Sequence, residues 1–541
     1  MSWNIGDILA GLGPILGDEP ALFHCSGTDT RVVTWAEMER RSNALARALV
    51  EAGARPDDKV AIYSYNRPEW METVVACFKA RLVPVNVNYR YRNEELEYLL
   101  DNCDAAVLVF EGCFADNVAR LAPRLTRLRQ LVQLDDGSPH MAGALDYEKL
   151  ANGSADPLVV ERSPDDLMLL YTGGTTGMPK GVMWRQEDVW QTLGAGGDPI
   201  TGQGRPGDVR EHLANIAALP QKQRLLPACP LMHGTGFFTA INILMNGGAI
   251  VTTDSKKLDA HALWSAVQAC GVTTISIVGD VFARPMVAAL RERTYDLSSL
   301  RLIISSGVMW SIELKRALLE FHSSMILLDS LGSSEATGLG ASIMVAGMEM
   351  PTASFKVGDK VKVFTEDGRE VEAGSGERGL VARSGPIPVG YYKDPQKSAQ
   401  TFPTIGGVRW SMPGDFATVE IDGTLRLLGR GSVCINTGGE KVFPEEVEEV
   451  LKRHPMVEDA AVVGLPDEKW GQAVHALVVL REAKDFAEED LRSHVHNLLA
   501  GYKVPKRIFA AESLGRSPSG KMDYKGVTAR ILTLSQAPAA A

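Results

Sequence analysis

The sequence predicts an α/β protein with a large N-terminal domain of layered sheets and helices and a small C-terminal α+β domain. Three observations predict this arrangement. Apolar strand-like segments alternate with amphipathic helical segments, which is typical of layered, largely parallel sheets. The 541 residues exceed one domain at about 100–200 residues per domain. The composition changes near Gly429, after which lysine and glutamate are frequent. We therefore place the domains at residues 1–430 and 431–541.

The N-terminal segments show the alternation in order. Apolar residues at helical spacing predict a helix over residues 34–54, and the buried run at 59–63 predicts a strand. The elements expected next are a helix at 69–79 and strands at 83–87, 105–110 and 167–171. Residues 198–224 lack a strong period, so we expect a loop there.

A strand is expected just before the small C-terminal domain. Residues 422–430 (DGTLRLLGR) predict a hairpin strand that ends the large domain. Helices are expected after it at residues 444–454 and 488–500. This small domain is therefore predicted to be α+β.

Composition and charge exclude several classes of protein. Apolar residues make up 45% and charged residues 23%, which are globular proportions and not those of a disordered chain or a coiled coil. Acidic residues outnumber basic ones by 67 to 56, giving a net charge of -11. This balance argues against a nucleic-acid partner or an anionic membrane surface. A polyanionic ligand would need local charges, backbone amides and a divalent metal.

Cysteine usage and the N-terminus indicate the compartment. The seven cysteines are scattered and contain no CxxC pair, which predicts a reducing compartment without a zinc site or a disulfide framework. The N-terminus carries Asp7 and no basic region, so we expect no secretory signal. Apolar runs fall short of the roughly 20 residues of a spanning helix. We expect a cytoplasmic protein with no integral membrane segment.

Residues 171–181 (YTGGTTGMPKG) carry the strongest chemical signal. An apolar strand runs into this segment, its glycines let consecutive amides face an anion, and its threonines and lysine add donors and positive charge. It is not a Walker A loop, because Pro179 stands before the lysine where that motif needs glycine. The alternative is a flexible surface turn. The candidate phosphate-binding residues are Thr172, Gly173, Gly174, Thr175, Thr176, Gly177 and Lys180.

This segment resembles the phosphate loop of the adenylate-forming enzymes, which include acyl-CoA synthetases, luciferases and peptide-synthetase adenylation domains. Further blocks similar to that family follow in the family's order over nearly the whole chain. They are residues 331–335 (LGSSE), 410–415 (WSMPGD), 429–430 (GR), 438–446 (GGEKVFPEE) and 516–521 (RSPSGK). The resemblance implies that the small C-terminal domain is mobile, and that the protein uses ATP, Mg²⁺ and CoA.

The 331–335 block implies roles for nucleotide and metal binding. Ser334 would bond the α-phosphate, and Glu335 would hold Mg²⁺, a hard cation that prefers carboxylate oxygen. Leu331 replaces the family's usual aromatic residue, so apolar contact would replace adenine stacking. Without the family, this run would be a helix N-cap. The other residues that the resemblance places at the nucleotide are Gly332, Ser333, Ser306 and Gly307.

The later blocks imply ribose, hinge and CoA contacts. Asp415 would bind the ribose hydroxyls, since a carboxylate can accept from a vicinal diol, and Arg430 would reach ribose or phosphate. The family's hinge position falls at Ser432. Lys521 would be the catalytic lysine of adenylation, although a lysine in such a loop is otherwise a solvated charge. The residues that would face CoA are Gly438, Gly439 and Lys441.

Residues 230–238 (PLMHGTGFF) resemble the block beside the acyl site. We place His233 near the substrate carboxylate, with a buried, satisfied histidine as the alternative. These stretches contain no basic residue suited to a polar substrate tail, so an apolar acyl group is favoured over an amino acid. The other candidate pocket residues are Gly234, Gly236, Phe237, Val278, Gly279 and Met309.

The resemblance implies an ATP-dependent acyl-CoA synthetase with a small-molecule carboxylate as substrate. Residues 181–188, 306–310 and 435–444 resemble bacterial fatty-acyl and steroid-side-chain ligases, which favours a medium- or long-chain fatty acid or a steroid side-chain acid. One alternative keeps the adenylation but passes the acyl group to an amine or a carrier protein. Another is a nucleotide-binding regulator without catalysis. The oligomeric state stays open, with a homodimer as one alternative.

Overall fold

The computed structural model describes residues 2–91, 93–174, 177–197, 204–308, 310–348, 354–437, 440–467, 470–482, 486–499, 501–516 and 522–536. The helices are α1 Ile5–Leu16, α2 Trp35–Glu51, α3 Pro68–Lys79, α4 Glu94–Asn102, α5 Ala115–Leu121, α6 Tyr147–Ala151, α7 Gln186–Thr192, α8 Val209–Ala218, α9 Gly234–Met245, α10 Ala260–Cys270, α11 Asp280–Glu292, α12 Ile312–Phe321, α13 Pro395–Thr401, α14 Pro444–Lys452, α15 Glu488–Leu498 and α16 Tyr524–Gln536.

The strands are β1 Pro20–Ser26, β2 Asp29–Thr34, β3 Lys59–Tyr63, β4 Val83–Asn86, β5 Ala105–Glu111, β6 Gln130–Leu134, β7 Leu145–Asp146, β8 Leu167–Gly174, β9 Gly177–Arg185, β10 Arg224–Pro227, β11 Ala249–Thr253, β12 Thr274–Ile277, β13 Leu302–Ser306, β14 Ile326–Leu331, β15 Gly340–Met344, β16 Ser354–Phe355, β17 Val361–Phe364, β18 Gly379–Arg383, β19 Gly390–Tyr391, β20 Thr404–Ile405, β21 Val408–Arg409, β22 Asp415–Val419, β23 Leu425–Arg430, β24 Ile435–Thr437, β25 Glu440–Val442, β26 Val457–Asp467, β27 Gly471–Leu480 and β28 Arg507–Ala510.

The chain divides into two compact units. The first unit combines Met1–Met350 with Ser384–Ser411, and the second combines Pro351–Arg383 with Met412–Ala541. The mixed α/β structure with a large N-terminal and a separate small C-terminal part confirms the predicted fold class. The boundary that the sequence places at residue 430 stays a prediction.

Two eight-stranded sheets form the framework of the first unit. Sheet A has the order β15-β14-β13-β12-β10-β11-β1-β2, and sheet B has the order β19-β9-β8-β4-β3-β5-β6-β7. The inner strands of both sheets pair in parallel. Antiparallel partners occur toward the edges, at β2 and β15 in sheet A and at β9 and β19 in sheet B. The predicted layering with largely parallel sheets is therefore confirmed.

The core of the first unit joins both sheets through helices. One cluster of buried side chains includes Ile8 of α1, Val74 of α3 and Ile241 of α9 together with Leu170 of sheet B and Ile250 of sheet A. Each helix has an apolar stripe on one side. Packing the helices against the sheets removes the apolar surface of both from water. The ends of β8, β13 and β14, which carry three of the predicted blocks, are anchored in this framework.

Most predicted elements are found with small shifts at their ends. The helix expected at 34–54 is α2, whose N-cap Thr34 accepts a hydrogen bond from the Glu37 amide at 3.2 Å. The helix expected at 69–79 is α3, which starts with Pro68 at its first position. Proline suits that position because the first amides of a helix have no intrahelical partner.

The expectation of a loop over residues 198–224 was wrong for part of that range. Residues 209–218 form α8, and β10 begins at Arg224. Asp208 accepts a hydrogen bond from the Glu211 amide at 2.8 Å, and the Glu211 carboxylate accepts from the Gly207 amide at 2.6 Å. These two hydrogen bonds cap the start of a helix whose own apolar period is weak. Residues 198–203 lie outside the described residues.

The second unit contains two further sheets. One has the order β16-β23-β22-β18-β17, and the other has β25-β24-β27-β26 with β28 paired to β27. Alternate residues of β26 point to opposite faces: Val462 packs with α14 and α15, and Val463 packs with α16. The helices expected at 444–454 and 488–500 are α14 and α15. Within the described ranges, no helix is long and apolar enough to cross a membrane.

Candidate active site

The predicted phosphate-binding segment spans the adjoining ends of the antiparallel strands β8 and β9. Thr172 pairs with Lys180 and Gly174 pairs with Gly177 across the two antiparallel strands; Thr175 and Thr176 lie outside the described residues. Gly173 is also in β8. This hairpin differs from a strand–loop–helix P-loop, in agreement with the rejection of a Walker A motif.

Close packing fixes the base of this hairpin. A Cβ atom at Gly181 would lie 2.6 Å from the ring of Tyr171 on the facing strand, so only glycine fits there. The Tyr171 backbone is held by Asn86 of β4, whose carboxamide oxygen accepts from the Tyr171 amide at 2.6 Å. The Asn86 amide group donates to the carbonyls of Tyr171 at 2.9 Å and Met232 at 2.6 Å. Asn86 therefore ties the strand before the phosphate loop to the residue before His233.

The turn after β14 holds the predicted metal ligand. The Trp184 indole donates to the Ser334 carbonyl at 2.9 Å, and the Ser411 hydroxyl donates to the Glu335 carbonyl at 2.6 Å. The Glu335 amide donates to the Ser333 hydroxyl at 3.2 Å. Gly332 leads into this turn, where an added Cβ would lie 3.2 Å from the Ala336 carbonyl oxygen. Side chains from distant parts of the sequence thus fix the backbone of the turn.

The segment after β19 contacts both charged candidates. The Tyr391 hydroxyl donates to Glu335 Oε1 at 2.8 Å. The Lys180 ammonium group pairs with the carboxylate of Asp394 and lies 5.8 Å from the centre of the Tyr391 ring. The hydrogen bond from Lys180 lowers the pKa of Asp394. The phosphate-loop lysine and the predicted metal carboxylate therefore share one neighbouring segment.

The chemistry of Glu335 fits a magnesium ion. Its carboxylate is half-buried and directed by a phenol, and carboxylate oxygen is the ligand type that Mg²⁺ prefers. The hydroxyl of Ser334 belongs to the same turn, and the Lys180 ammonium group lies 5.8 Å from the ring of Tyr391, whose hydroxyl contacts Glu335. Such a group of hard oxygens and one cation suits a polyphosphate with its metal.

The predicted acyl block lies at the start of α9. His233 is the N-cap residue of that helix and is half-buried. A Cβ atom at Gly234 would lie 3.4 Å from the Leu170 side chain and 3.5 Å from Ser334 Oγ, so this glycine faces the turn of Glu335. Gly236 instead abuts the Pro230 carbonyl oxygen, 2.6 Å from its added Cβ. Phe237 is buried edge to face with Trp70, with ring centres 5.2 Å apart.

The ends of β12 and β13 lie beside this block. Gly307 has a φ of +90°, and its added Cβ would lie 3.9 Å from Val278 Cγ1 and 4.0 Å from Thr235 Oγ1. The Ser306 hydroxyl donates to the Ser330 carbonyl at 2.7 Å. Gly279 donates its amide to Ser305 Oγ at 2.9 Å. The predicted adenine-side and pocket residues thus meet at one edge of sheet A; Met309 lies outside the described residues.

The ribose and CoA candidates lie in the second unit. Asp415 is buried at the start of β22, in register with Arg430 of β23. Gly429 has a φ of +126°, and a Cβ there would lie 2.2 Å from Glu445 Oε2, so the strand requires glycine. Lys441 lies in β25 opposite Asn436. Gly438, Gly439 and Lys521 lie outside the described residues.

Sequence reasoning missed four of the residues that shape this site. Periodicity could not find Tyr391, because β19 is only two residues long. The Asp394-Pro395 pair is a signal of a helix start and places polar groups at a strand end. Asn86 and Ser411 gave no local signal, since their partners are distant in sequence.

Comparison with known proteins agrees with this geometry. The AMP-binding enzyme family matches residues 16–392, and the AMP-binding enzyme C-terminal domain matches residues 446–521. The 3-oxocholest-4-en-26-oate–CoA ligase of Rhodococcus rhodochrous is 41% identical over 538 residues, covering 97% of this chain and 95% of that protein. A medium/long-chain-fatty-acid–CoA/3-oxocholest-4-en-26-oate–CoA ligase of Mycolicibacterium smegmatis is 41% identical over 536 residues, covering 97% and 96%.

A solved structure has the same fold. ATP-bound MatB from Rhodopseudomonas palustris superposes with a TM-score of 0.80 at 23% identity, covering 98% of this chain and 99% of that one. The two sequence relatives confirm the predicted resemblance to fatty-acyl and steroid-side-chain CoA ligases. The chain therefore belongs to the AMP-binding enzyme family.

Proposed function

We propose that this protein is an ATP-dependent acyl-CoA synthetase that activates a hydrophobic carboxylate through an acyl-adenylate. The observation that carries the proposal is the meeting of Lys180 and Glu335 around one segment, next to Gly234 and Ser334. A cation, a metal-type carboxylate and a hydroxyl stand there beside a glycine that leaves room for a substrate.

The charges of the reaction explain this arrangement. A carboxylate that attacks the α-phosphate of ATP is an anion approaching an anion, and charge gathers on the oxygens around phosphorus and on the departing pyrophosphate. Lys180 and the backbone amides of the hairpin would stabilise that charge by preorganised electrostatics. Mg²⁺, held by Glu335, would supply further positive charge when bound. The acyl-adenylate would then react with the thiol of CoA to give the thioester and AMP.

The surroundings of His233 support a hydrophobic acid. Gly234, Gly307 and Val278 provide space and apolar surface, and Trp184 packs edge to face on Phe238 with ring centres 5.8 Å apart. The two relatives are named for medium- and long-chain fatty acids and for a steroid side-chain acid. We propose that this chain acts on the same classes, with His233 at the carboxylate.

Residues of the second unit would complete the cycle. We propose that Asp415 binds the ribose hydroxyls, that Arg430 contacts ribose or phosphate, and that Lys521 assists adenylation. A mobile C-terminal domain could present Lys521 for the first step and Gly438, Gly439 and Lys441 to CoA for the second. Such alternation would also limit the exposure of the reactive anhydride to water.

A substrate panel tests the proposed function. AMP release would be measured with ATP, Mg²⁺ and CoA for acetate, medium- and long-chain acids, benzoate and steroid side-chain acids. We expect release only with CoA present and a maximum among the long-chain or steroid acids. Release with amines in place of CoA would favour the amide-forming alternative. ATP binding without carboxylate-dependent pyrophosphate exchange would favour the regulator.

A further inference from the structure

We propose that Tyr391 is a positioning residue for the metal carboxylate Glu335. We also propose that Lys180 forms an ion pair with Asp394 until a bound nucleotide phosphate replaces Asp394 as its partner. This inference rests on the proposed function, because it assigns roles within the same site. It concerns one short segment, residues 390–394, which we name the β19 segment.

The fold locks the Tyr391 phenol in place. β19 pairs with β9 of the phosphate hairpin, with Tyr391 opposite Val182. The Tyr391 amide donates to the Ser398 hydroxyl at 2.8 Å, and the ring packs on Phe402 with centres 5.8 Å apart. Only 6% of the residue is exposed. The hydroxyl therefore reaches Glu335 Oε1 from a fixed position, and the bond directs the carboxylate while leaving its second oxygen to face a cation.

Asp394 makes two contacts, one with each carboxylate oxygen. Its Oδ1 atom accepts from the Lys397 amide at 2.9 Å, which caps α13. Its other oxygen pairs with Lys180, and the two side chains are 30% and 40% exposed. Exposed ion pairs contribute little to stability. A polyphosphate carries more negative charge than one carboxylate, so it can draw Lys180 away from Asp394.

The Tyr391–Glu335 contact is predicted to affect the binding of Mg²⁺, and the Asp394–Lys180 contact is predicted to affect the binding of ATP. Loss of the Tyr391 hydroxyl would leave the Glu335 carboxylate undirected and weaken its hold on the metal. Loss of the Asp394 charge would remove a competitor for Lys180 and strengthen nucleotide binding. The β19 segment therefore positions both the Glu335 carboxylate and the Lys180 ammonium group.

The first test is Tyr391→Phe, with Tyr392→Phe as a matched control. The Tyr392 hydroxyl donates to Asp104 at 2.9 Å, whereas the Tyr391 hydroxyl donates to Glu335. We expect Tyr391→Phe to raise the Mg²⁺ concentration for half-maximal carboxylate-dependent pyrophosphate exchange by about tenfold or more, because outer-shell partners of metal ligands typically contribute about 10–100-fold in affinity or activity. Tyr392→Phe should match the wild type. Equal Mg²⁺ requirements in the two variants, or a lower rate with an unchanged Mg²⁺ requirement, would overturn the role of Tyr391.

The second test is Asp394→Asn, which keeps a residue that caps helices but removes the charge. Calorimetric titration with ATP should show tighter binding by about two- to fivefold, the size expected for an exposed pair. The control is Asp165→Asn. In the wild type, the Asp165 carboxylate pairs with Arg185 at 2.8 Å, and Arg185 lies on the same strand, β9, as Lys180. Unchanged or weaker ATP binding by Asp394→Asn would overturn the role of Asp394.

Measurements on the wild type distinguish a failure of this inference from a failure of the proposed function. If the wild type shows no carboxylate-dependent exchange, the proposed function fails, and the ATP titrations still decide the role of Asp394. If the wild type is active and Tyr391→Phe behaves as Tyr392→Phe does, only the role of Tyr391 fails.

Discussion

Gly234 and Gly236 lie near His233, and an added side chain would meet different surroundings at each of them. The added Cβ at Gly234 makes contacts of 3.4–3.7 Å with Leu170, Ser334 and Phe238, which are ordinary van der Waals distances. The added Cβ at Gly236 lies 2.6 Å from the Pro230 carbonyl oxygen, which is backbone and cannot move aside. Packing of α9 therefore requires glycine at position 236 but not at position 234, where we propose that the space serves the substrate pocket.

This difference gives a matched pair of variants. We expect Gly234→Ala to unfold at the wild-type temperature but to lower kcat/KM, most of all for bulky acids, since its methyl group would occupy the side that faces Ser334. Gly236→Ala should lose about 1–3 kcal/mol of stability from the backbone clash. Thermal unfolding and steady-state kinetics on the same preparations check both. A Gly234→Ala enzyme with unaltered kinetics for every acid would remove this glycine from the pocket.

At the scale of elements, α14 carries a buried acid, Glu448, from which we predict that the stability of the second unit depends on pH. Glu448 accepts a hydrogen bond from the Val462 amide of β26 at 2.8 Å. Burial raises the pKa of Glu448 to about 7, although the Val462 amide and Arg516 act in the opposite direction. The unfolded chain has the ordinary glutamate pKa of about 4.3. The folded state therefore binds more protons between these values, and stability falls as the pH rises through this window.

Glu448→Gln should remove that pH dependence, because the amide still accepts from Val462 and carries no charge. At pH 8 we expect the variant to exceed the wild type in stability by on the order of 3 kcal/mol. Hydrogen exchange of α14 and β26 peptides between pH 5 and pH 8 measures this. Glu446→Gln, in the same helix but paired with Lys503 at 2.6 Å, should keep the wild-type slope. A wild-type slope in Glu448→Gln as well would contradict the assignment.

Local signals predicted elements better than they predicted the site. The strand at Lys59–Tyr63 follows directly from its apolar run, and the Asp208–Glu211 box could have identified α8. The position of Tyr391 beside Glu335 depends on pairing between β19 and β9, which are far apart in sequence. Such long-range pairing has no local signal. The family blocks predicted Lys180 and Glu335, and the packing of sheets A and B supplied their neighbours.

At the scale of the whole molecule, the proposed two-step cycle predicts that a substitution of Lys521 lowers the rates of the two half-reactions unequally. Lys521→Ala should slow acyl-adenylate formation by about 10²–10³-fold, as expected for one lost electrostatic contact in a transition state. Thioester formation from supplied acyl-adenylate and CoA should change far less. The exposed Lys525 of α16 offers a control, since Lys525→Ala should affect neither step. Equal losses in both half-reactions of Lys521→Ala would contradict separate poses of the C-terminal domain.

The most direct test of an acyl-adenylate follows the carboxylate oxygen. A fatty or steroid acid labelled with heavy oxygen would be converted with ATP, Mg²⁺ and CoA, and the products examined by mass spectrometry. Attack of the carboxylate on the α-phosphate, followed by thiolysis, predicts one labelled oxygen in the released AMP. Label in inorganic phosphate with release of ADP, or AMP without label, would contradict the mechanism that we propose for this protein.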